Sequence, residues 1–334
     1  MRVAQPESDL EGVIGDGAAA AVVSNEDVVA EFLDAASIAE EFTYVWRTDT
    51  ARAVQMSGGR FSTTYGYGRD LGQAVRSVLE RRGLQPNDIH RLALYSPEPR
   101  ASADLAKALG FDPKRQLGEP LAAEIGCTGC AEPLLLLAHA LDGAEPGQLI
   151  LVGSYAEGAD VLLFRVTDRI ARGRAAIPVR RWIDDKMMLP SYEKYLKYRR
   201  VVEVEEVIEV VTNVLEFKEL KQDVRLYGSR CRECGTVQYP MARVCIKCQA
   251  QERMDDCRLA RRGTVFTYTV DHLIANVEHP LPMVVVDIDG GGRLYLQVTD
   301  TDTIKVGDRV GLTFRRLNEG GGNHNYYWKA RPLA

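Results

Sequence analysis

The chain has 334 residues, 46% hydrophobic and 27% charged, with a formal net charge of −5. That is the composition of an ordinary globular protein of about two domains, with no whole-chain charge that would draw it to nucleic acid or an acidic surface. No apolar run approaches the roughly 20 residues that span a bilayer, and the start "MRVAQPESDLEG" lacks the basic-then-apolar pattern of a secretory signal, so a cytoplasmic protein is expected.

In chain order, "AAAAVVS" and "DVVAEFLDAA" read as two strands joined by a turn. "DLGQAVRSVLERRGLQPNDI" is an amphipathic helix, with Leu71, Val75, Val78 and Leu79 on one face and Gly83 as its stop. "RLALYSPE" is a short buried strand. "SADLAKALGF" is a second helix, with Ser102 as its expected N-cap. "AEPLLLLAHALDGAEPG" is a third helix, apolar nearly all round and so expected to be buried. "QLILVGSYAEGADVLLFRV" reads as two strands across a tight turn. Strands alternating with helices imply an α/β layered domain over residues 1–170.

Residues 171–226 break this rhythm and read as a connector wrapping the first domain. Its 201–220 stretch alternates Val or Ile with Glu and is open between helix and extended linker. Short strands follow ("GTVFTYTV", "PMVVVDI", "RLYLQVTD", "DRVGLTFRRL"), split by Gly and Asp turns, which suggests a small β-barrel over residues 257–334.

Six of the seven cysteines fall in C-x-x-C pairs. Cys231, Cys234, Cys245 and Cys248 form C-x2-C-x10-C-x2-C, within residues 227–256, with Gly235 and Gln249 just past the two pairs. Two knuckles at this spacing can place four thiolates around one Zn²⁺, in a closed site whose role is structural. Cys257 lies outside the pattern and is expected to be a small core residue. Cys127 and Cys130 form a further pair, "CTGC", with no second pair nearby. A thioredoxin-like redox role and a buried structural role are both open to it. His139, on the apolar third helix, is read as packed and not as a ligand.

Four segments carry a resemblance: "GDGAAAAVV" (15–23), "EFTYVWRTD" (41–49), "EIGCTGCAEPLLLLAHAL" (124–141) and "LILVGSYAEGADVLLF" (149–164). In order and spacing they resemble the C-terminal half of the hydroxymethylglutaryl-CoA synthase and ketoacyl synthase III branch of the thiolase superfamily. From "YGSRCRECGTVQYP" to "NYYWKARPLA", residues 227–334 resemble the DUF35 family, a rubredoxin-like zinc ribbon joined to an OB-fold. The resemblance implies a thiolase-like half with a mixed sheet, then a zinc ribbon, then an all-β barrel.

It also implies departures. The family's nucleophilic Cys and catalytic Glu belong to the other half of the thiolase fold. Where the family has a catalytic His two residues before a Pro, this chain has Tyr95. Where it has the Asn of a "GN-T" motif, this chain has Cys127. Ser154 falls near the second acid/base Cys of degradative thiolases. A thiol is a weaker hydrogen-bond donor than an amide. Cys127 is then either a relic in a vestigial pocket or, with Tyr95, a group doing altered acid/base work on an acyl-CoA thioester.

Three functions follow as expectations. The first is an auxiliary acyl-CoA-handling subunit that self-associates or binds a thiolase-like subunit. In it, the basic stretch 225–262, with Arg225, Arg230, Arg232, Arg243 and Lys247, attracts the coenzyme A phosphates. The second is a hydroxymethylglutaryl-CoA synthase-like acyltransferase whose catalytic half lies upstream of Met1. The third, nucleic-acid binding, is disfavoured, because Phe266, Tyr268 and Tyr295 fit a barrel interior at least as well as a stacking face.

Overall fold

The computed structural model describes residues 4–57, 59–96, 98, 100–202, 213–273, 280–320 and 323–333. It divides into two compact units, residues 1–186 and 187–334. No helix among the described residues is long and apolar enough to cross a membrane.

The first unit is built on a four-stranded sheet: β1 (Ala30–Ala39), β2 (Arg91–Leu94), β3 (Leu149–Ala156) and β4 (Gly158–Val166), in the order β1-β4-β3-β2. β1 and β3 run antiparallel to β4, and β2 runs parallel to β3, so the sheet is mixed. Gly158 sits at the turn between β3 and β4 with φ +110°, and a Cβ there would fall 2.0 Å from the Ile38 carbonyl oxygen, so only glycine fits.

Helix α1 (Arg69–Arg82) covers one face with Leu71, Ala74, Val75, Val78 and Leu79, all buried. It stops at Gly83, whose φ of +62° allows the Leu84 N–H to reach back to the Leu79 carbonyl. Helix α2 (Ala101–Ala108) packs on the same side through Leu105 and Ala106. Ser102 is not its N-cap. It lies inside the helix, and its N–H donates to the Ser96 hydroxyl at 3.3 Å.

Two sequence expectations fail here for one physical reason. The "AAAAVVS" segment makes no strand, and residues 17–24 run extended with no ladder partner among the described residues. Helix α3 (Glu132–Asp142) is not buried either. Of its residues only Glu132 is buried, while Leu134 is exposed and Leu136, Leu137, Ala140 and Leu141 are half-buried against the second face of the sheet. Both elements carry the apolar pattern of an interior, but none of the described residues of this unit covers their outer sides.

The start of the connector packs on this unit. The Val179 N–H donates to Asp142 at 2.7 Å, and Arg180 is paired with Glu124 and with Asp184. Of the 201–220 stretch, residues 203–212 lie outside the described residues.

The second unit begins its regular structure with helix α4 (Asn213–Asp223), beside a three-stranded sheet of β5 (Tyr227–Cys231), β6 (Val237–Gln238) and β7 (Met254–Arg258) in the order β6-β5-β7. Then come β8 (Arg262–Asp271), β9 (Leu281–Ile288), β10 (Arg293–Gln297), β11 (Arg309–Gly320) and β12 (Asn323–Pro332). They form an antiparallel sheet in the order β10-β9-β8-β11-β12. Just past β10, Val298 bridges Ala330 of β12, which brings the sheet close to closure as a five-stranded OB-like barrel. Its core includes Val265, Val284, Val286, Leu294, Leu296, Val310 and Trp328 and continues through Leu226 and Leu259 to Val237 and Tyr239 of the ribbon.

The barrel aromatics depart from expectation. Phe266 and Tyr295 are 50% and 59% exposed. A register shift between Val265 and Thr267 displaces Phe266, and Tyr295 lies opposite Val285 while its neighbours Leu294 and Leu296 fill the core. Tyr268 is exposed too, on the part of β8 that β11 does not reach. Cys257 is half-buried on β7, with the Arg230 guanidinium 3.7 Å from its sulfur, and is not a core residue.

Candidate functional site

The ribbon brings its four cysteines together. All four Sγ atoms lie within 4.8 Å of one another, with Cys231–Cys248 and Cys234–Cys245 both at 3.6 Å. Four sulfurs about 2.3 Å from a tetrahedral Zn²⁺ would be about 3.8 Å apart, so the two 3.6 Å pairs already stand close to the spacing that ion requires. The two knuckles have the same backbone. The Gly235 N–H donates to the Cys231 carbonyl and the Gln249 N–H to the Cys245 carbonyl, while the Cys231 and Cys245 N–H groups donate to Thr236 and Ala250. Gly235 and Gln249 both sit at positive φ, as the knuckle turn requires.

Thiols this close do not ionise alike. The Thr236 hydroxyl and N–H hold Cys234 down, to about 6. Cys248 accepts the Ala250 N–H, yet Cys234 and burial push it up, to about 12. A divalent cation takes all four as thiolates and removes that conflict. Having four sulfur ligands, the site leaves no position for a substrate, so the ion would hold the fold.

The second constellation lies in the first unit. Cys127 follows the left-handed Gly126 and is paired in parallel with Ile14; its N–H donates to Val13 at 2.7 Å, and its carbonyl accepts from Gly15 at 3.0 Å. This fixes the thiol in the core, where it donates to the Tyr95 hydroxyl at 3.5 Å. Tyr95 follows β2 and extends it by one hydrogen bond, N–H to Gly153 at 2.9 Å. Its carbonyl accepts the Tyr67 hydroxyl at 2.8 Å. Tyr44 and Tyr155 are buried in the same cluster, and neither hydroxyl has a hydrogen-bond partner among the described residues.

Burial pushes the Tyr44 phenol up to about 12, with Glu98, Cys127 and Tyr155 adding to it. Burial likewise raises Tyr155 to about 12, with Asp70 adding and Arg69 opposing. Burial, then Glu132, raises Tyr67. These three phenols therefore keep their protons near neutral pH and are available as hydrogen-bond donors, not as bases; Tyr67 already donates to the Tyr95 carbonyl. Nearby, Glu98 accepts the Thr63 hydroxyl at 3.1 Å. Thr63 opens a π-helical turn, Thr63–Gly68, that also carries Tyr67.

Tyr95 and Cys127, anticipated from the sequence, are thus brought into contact. Ser154 is not part of that contact: it is half-buried on β3 between Gly153 and Tyr155, and strand alternation turns it to the face opposite Tyr155. Cys130 is exposed. Tyr44, Tyr67, Tyr155 and Glu98 were not singled out from the sequence. Tyr44 lies within the "EFTYVWRTD" motif and Tyr155 within "LILVGSYAEGADVLLF", and motif membership was the signal available for those two.

A cleft of about 1050 Å³ opens on the other side of β2, lined by Ala93, Leu136, Ala140, His139, Glu132 and Arg180 among others. Of the five basic candidates, Arg232 is paired with Asp255 and Arg243 lies 3.9 Å from Glu252. Arg225, Arg230 and Lys247 have no carboxylate partner among the described residues.

Comparison with known proteins gives matches in both parts of the chain. Residues 219–252 match the model of the ChsH2 rubredoxin-like zinc ribbon domain, and residues 257–315 that of the ChsH2 C-terminal OB-fold domain. A hydroxymethylglutaryl-CoA synthase of Methanopyrus kandleri is 31% identical over 193 residues, 57% of this chain and 55% of that protein. A DUF35 domain-containing scaffold protein of Methanocaldococcus jannaschii is 29% identical over 127 residues, 36% of this chain and 90% of that protein. The chain spans about half the length of the curated synthases that it matches. Among solved structures, a hydroxymethylglutaryl-CoA synthase complexed with CoA aligns with a TM-score of 0.45 and 13% identity, over 62% of this chain and 56% of that one.

Proposed function

We propose that this chain, which joins a hydroxymethylglutaryl-CoA synthase-like part to a ChsH2-type zinc ribbon and OB-fold, handles an acyl-CoA thioester as an auxiliary subunit. It works with a thiolase-like partner in forming or cleaving a carbon–carbon bond. The observation that carries this reading is the buried contact between Cys127 and Tyr95, at the positions where the resemblance places an Asn and a His. Tyr95 keeps a hydrogen-bonding group at the end of β2 and Cys127 one beside it, in a cluster of protonated phenols. Such a site suits donation to a developing thioester oxyanion better than nucleophilic attack. Cys127 is buried and hydrogen-bonded as a donor, a poor setting for a thiolate nucleophile. Tyr95 is the proposed acid/base group, Cys127 its positioning neighbour, and the partner supplies the nucleophile.

The test is incubation with radiolabelled acetyl-CoA, denaturation and peptide mapping. The chain alone should carry no label. With a thiolase-like subunit added, label should appear on that subunit. Label on Cys127 or Cys130 would sink the reading and make "CTGC" an active site.

A further inference from the structure

We infer that the open edge of β11 is a site for the carboxyl terminus of a partner protein, bound as an extended strand with its last carboxylate on Arg261. β8 pairs with β11 only through Arg309, Val310 and Gly311. The Leu312 N–H then reaches the Arg261 carbonyl at 2.8 Å, and beyond it the two segments part. Antiparallel pairing alternates the direction of the backbone groups, so Phe314 turns its N–H and C=O to the same side as Leu312, away from β12. Neither group has a hydrogen-bond partner among the described residues. An unpaired ladder edge of this kind is a template for another chain.

A pocket of about 370 Å³ opens at this edge, lined by Val224, Arg261, Leu312, Thr313, Phe314 and Trp328. Apart from Arg261 and Thr313 its walls are apolar, and no carboxylate lines it. The Arg261 guanidinium lies over the Trp328 ring, 4.9 Å from the centroid, and forms no ion pair among the described residues. Trp328 is 5% exposed, and its Nε1–H is buried with no hydrogen-bond partner among the described residues. Phe314 stands edge-on to Trp328, with ring centroids 5.3 Å apart, and is 39% exposed. A free guanidinium, unused donors and aromatic walls together select an anion that carries an apolar group.

Chain direction names the occupant. β8 runs antiparallel to β11, so a peptide that continues the line of β8 brings its carboxyl end, not its amino end, to Arg261. Its backbone would pair with Phe314, its last side chain would enter the pocket, and its terminal carboxylate would meet the guanidinium. A pocket of this size lies at the small end of ligand sites, which span about 300–1,000 Å³. It suits one side chain and a carboxylate better than a whole cofactor. A nucleotide phosphate would satisfy Arg261 and leave the ladder unpaired. A second copy pairing edge to edge through β11 would satisfy the ladder and leave both guanidiniums without a partner. The site is built from the second unit alone and does not depend on the acyl-CoA reading above.

The test uses the full chain and heptapeptides of alternating threonine and valine that differ only in the last residue. Each is made as the free acid and as the carboxyl-terminal amide, with fluorescein at the amino end. Fluorescence anisotropy should show free acids ending in leucine, valine or phenylalanine binding about tenfold or more tightly than their amides, because the charge-assisted contact is lost with the carboxylate. Arg261→Gln should bind acid and amide alike. Phe314→Pro removes the edge donor without touching the β12 ladder and should weaken the acids about tenfold. The Phe314 amide should exchange with deuterium more slowly once an acid is bound. Both variants should keep the circular dichroism of the barrel, and exchange at Phe314 in the unaltered chain carries the same reading if the proline variant does not fold. Equal binding of acids and amides, discrimination that survives Arg261→Gln, or no binding at millimolar peptide overturns the site. Binding that leaves the Phe314 amide exchanging freely overturns it too and reduces Arg261 to an adventitious anion contact.

Discussion

The zinc ribbon and the tyrosine cluster are both sites built from a few polar side chains, but the chain assembles them differently. The ribbon takes all four ligands from 18 consecutive residues, 231–248, and each knuckle repeats the same backbone hydrogen bonds. The cluster gathers Tyr44, Tyr67, Tyr95, Cys127 and Tyr155 from five separate segments, and only the folded sheet brings them together. A local site depends on its ion, whereas a dispersed one depends on the packing of a whole unit. The two should therefore fail separately.

The largest expected effect is on the ribbon. Cys231→Ser, or a strong chelator, should release one Zn²⁺ per chain and unfold residues 227–256, since ion binding in small sites of this kind contributes on the order of 10 kcal/mol to folding. The first unit should stay folded. Metal analysis with circular dichroism of each unit checks this, and full zinc retention in the variant would remove the assignment.

Next comes the cluster. In the complex, Tyr95→Phe should lower turnover by about 10²-fold or more, the usual loss of a positioned proton donor. Cys127→Ala should lower it less, because a thiol is a weak donor. A steady-state comparison in which the two variants lose equally, or Tyr95→Phe loses nothing, would leave Tyr95 without the proposed role.

A smaller effect should appear with pH. Tyr44 and Tyr155 titrate near 12 when folded against about 10 when unfolded, so the folded unit holds their protons more tightly. That stabilisation is complete below pH ~10 and is lost as pH rises through about 12, on the order of 2 kcal/mol for each phenol. Tyr44→Phe should flatten the fall in melting temperature between pH 10 and 12. An unchanged slope would mean that these hydroxyls reach water.

The same contrast explains what could be read from the sequence. The C-x2-C-x10-C-x2-C spacing carries the whole geometry of the ribbon. Tyr95 and Cys127 were legible through motif position, but their contact is a property of the fold. Tyr155 and Ser154 are neighbours in sequence, and only strand alternation shows which of them joins the cluster. Burial misled at α3 and "AAAAVVS", because apolar pattern reports what an element needs covered, not whether this chain covers it. It misled at Phe266 because a one-residue bulge cannot be seen in an alternating pattern.

The smallest effect concerns the basic stretch, and it separates two classes of ligand. Residues 225–262 hold nine Arg or Lys against four acids. Ion pairs already engage Arg232 and Arg243, so phosphate attraction falls to Arg225, Arg230 and Lys247. Replacing those three with Ala should weaken acetyl-CoA binding a few-fold at low salt and hardly at all at high salt, because exposed charges act through a screened field. Calorimetry with acetyl-CoA and with single-stranded DNA decides the rest. The exposed Phe266, Tyr268 and Tyr295, with Arg293 lying 3.7 Å over the Phe266 ring, form the kind of surface on which bases stack. Asp287 already holds Arg293 through two hydrogen bonds, which diminishes its pull on a phosphate backbone. Acetyl-CoA should therefore bind more tightly than DNA. Tight DNA binding that Phe266→Ala abolishes, with no heat from acetyl-CoA, would move the function from the tyrosine cluster to the barrel.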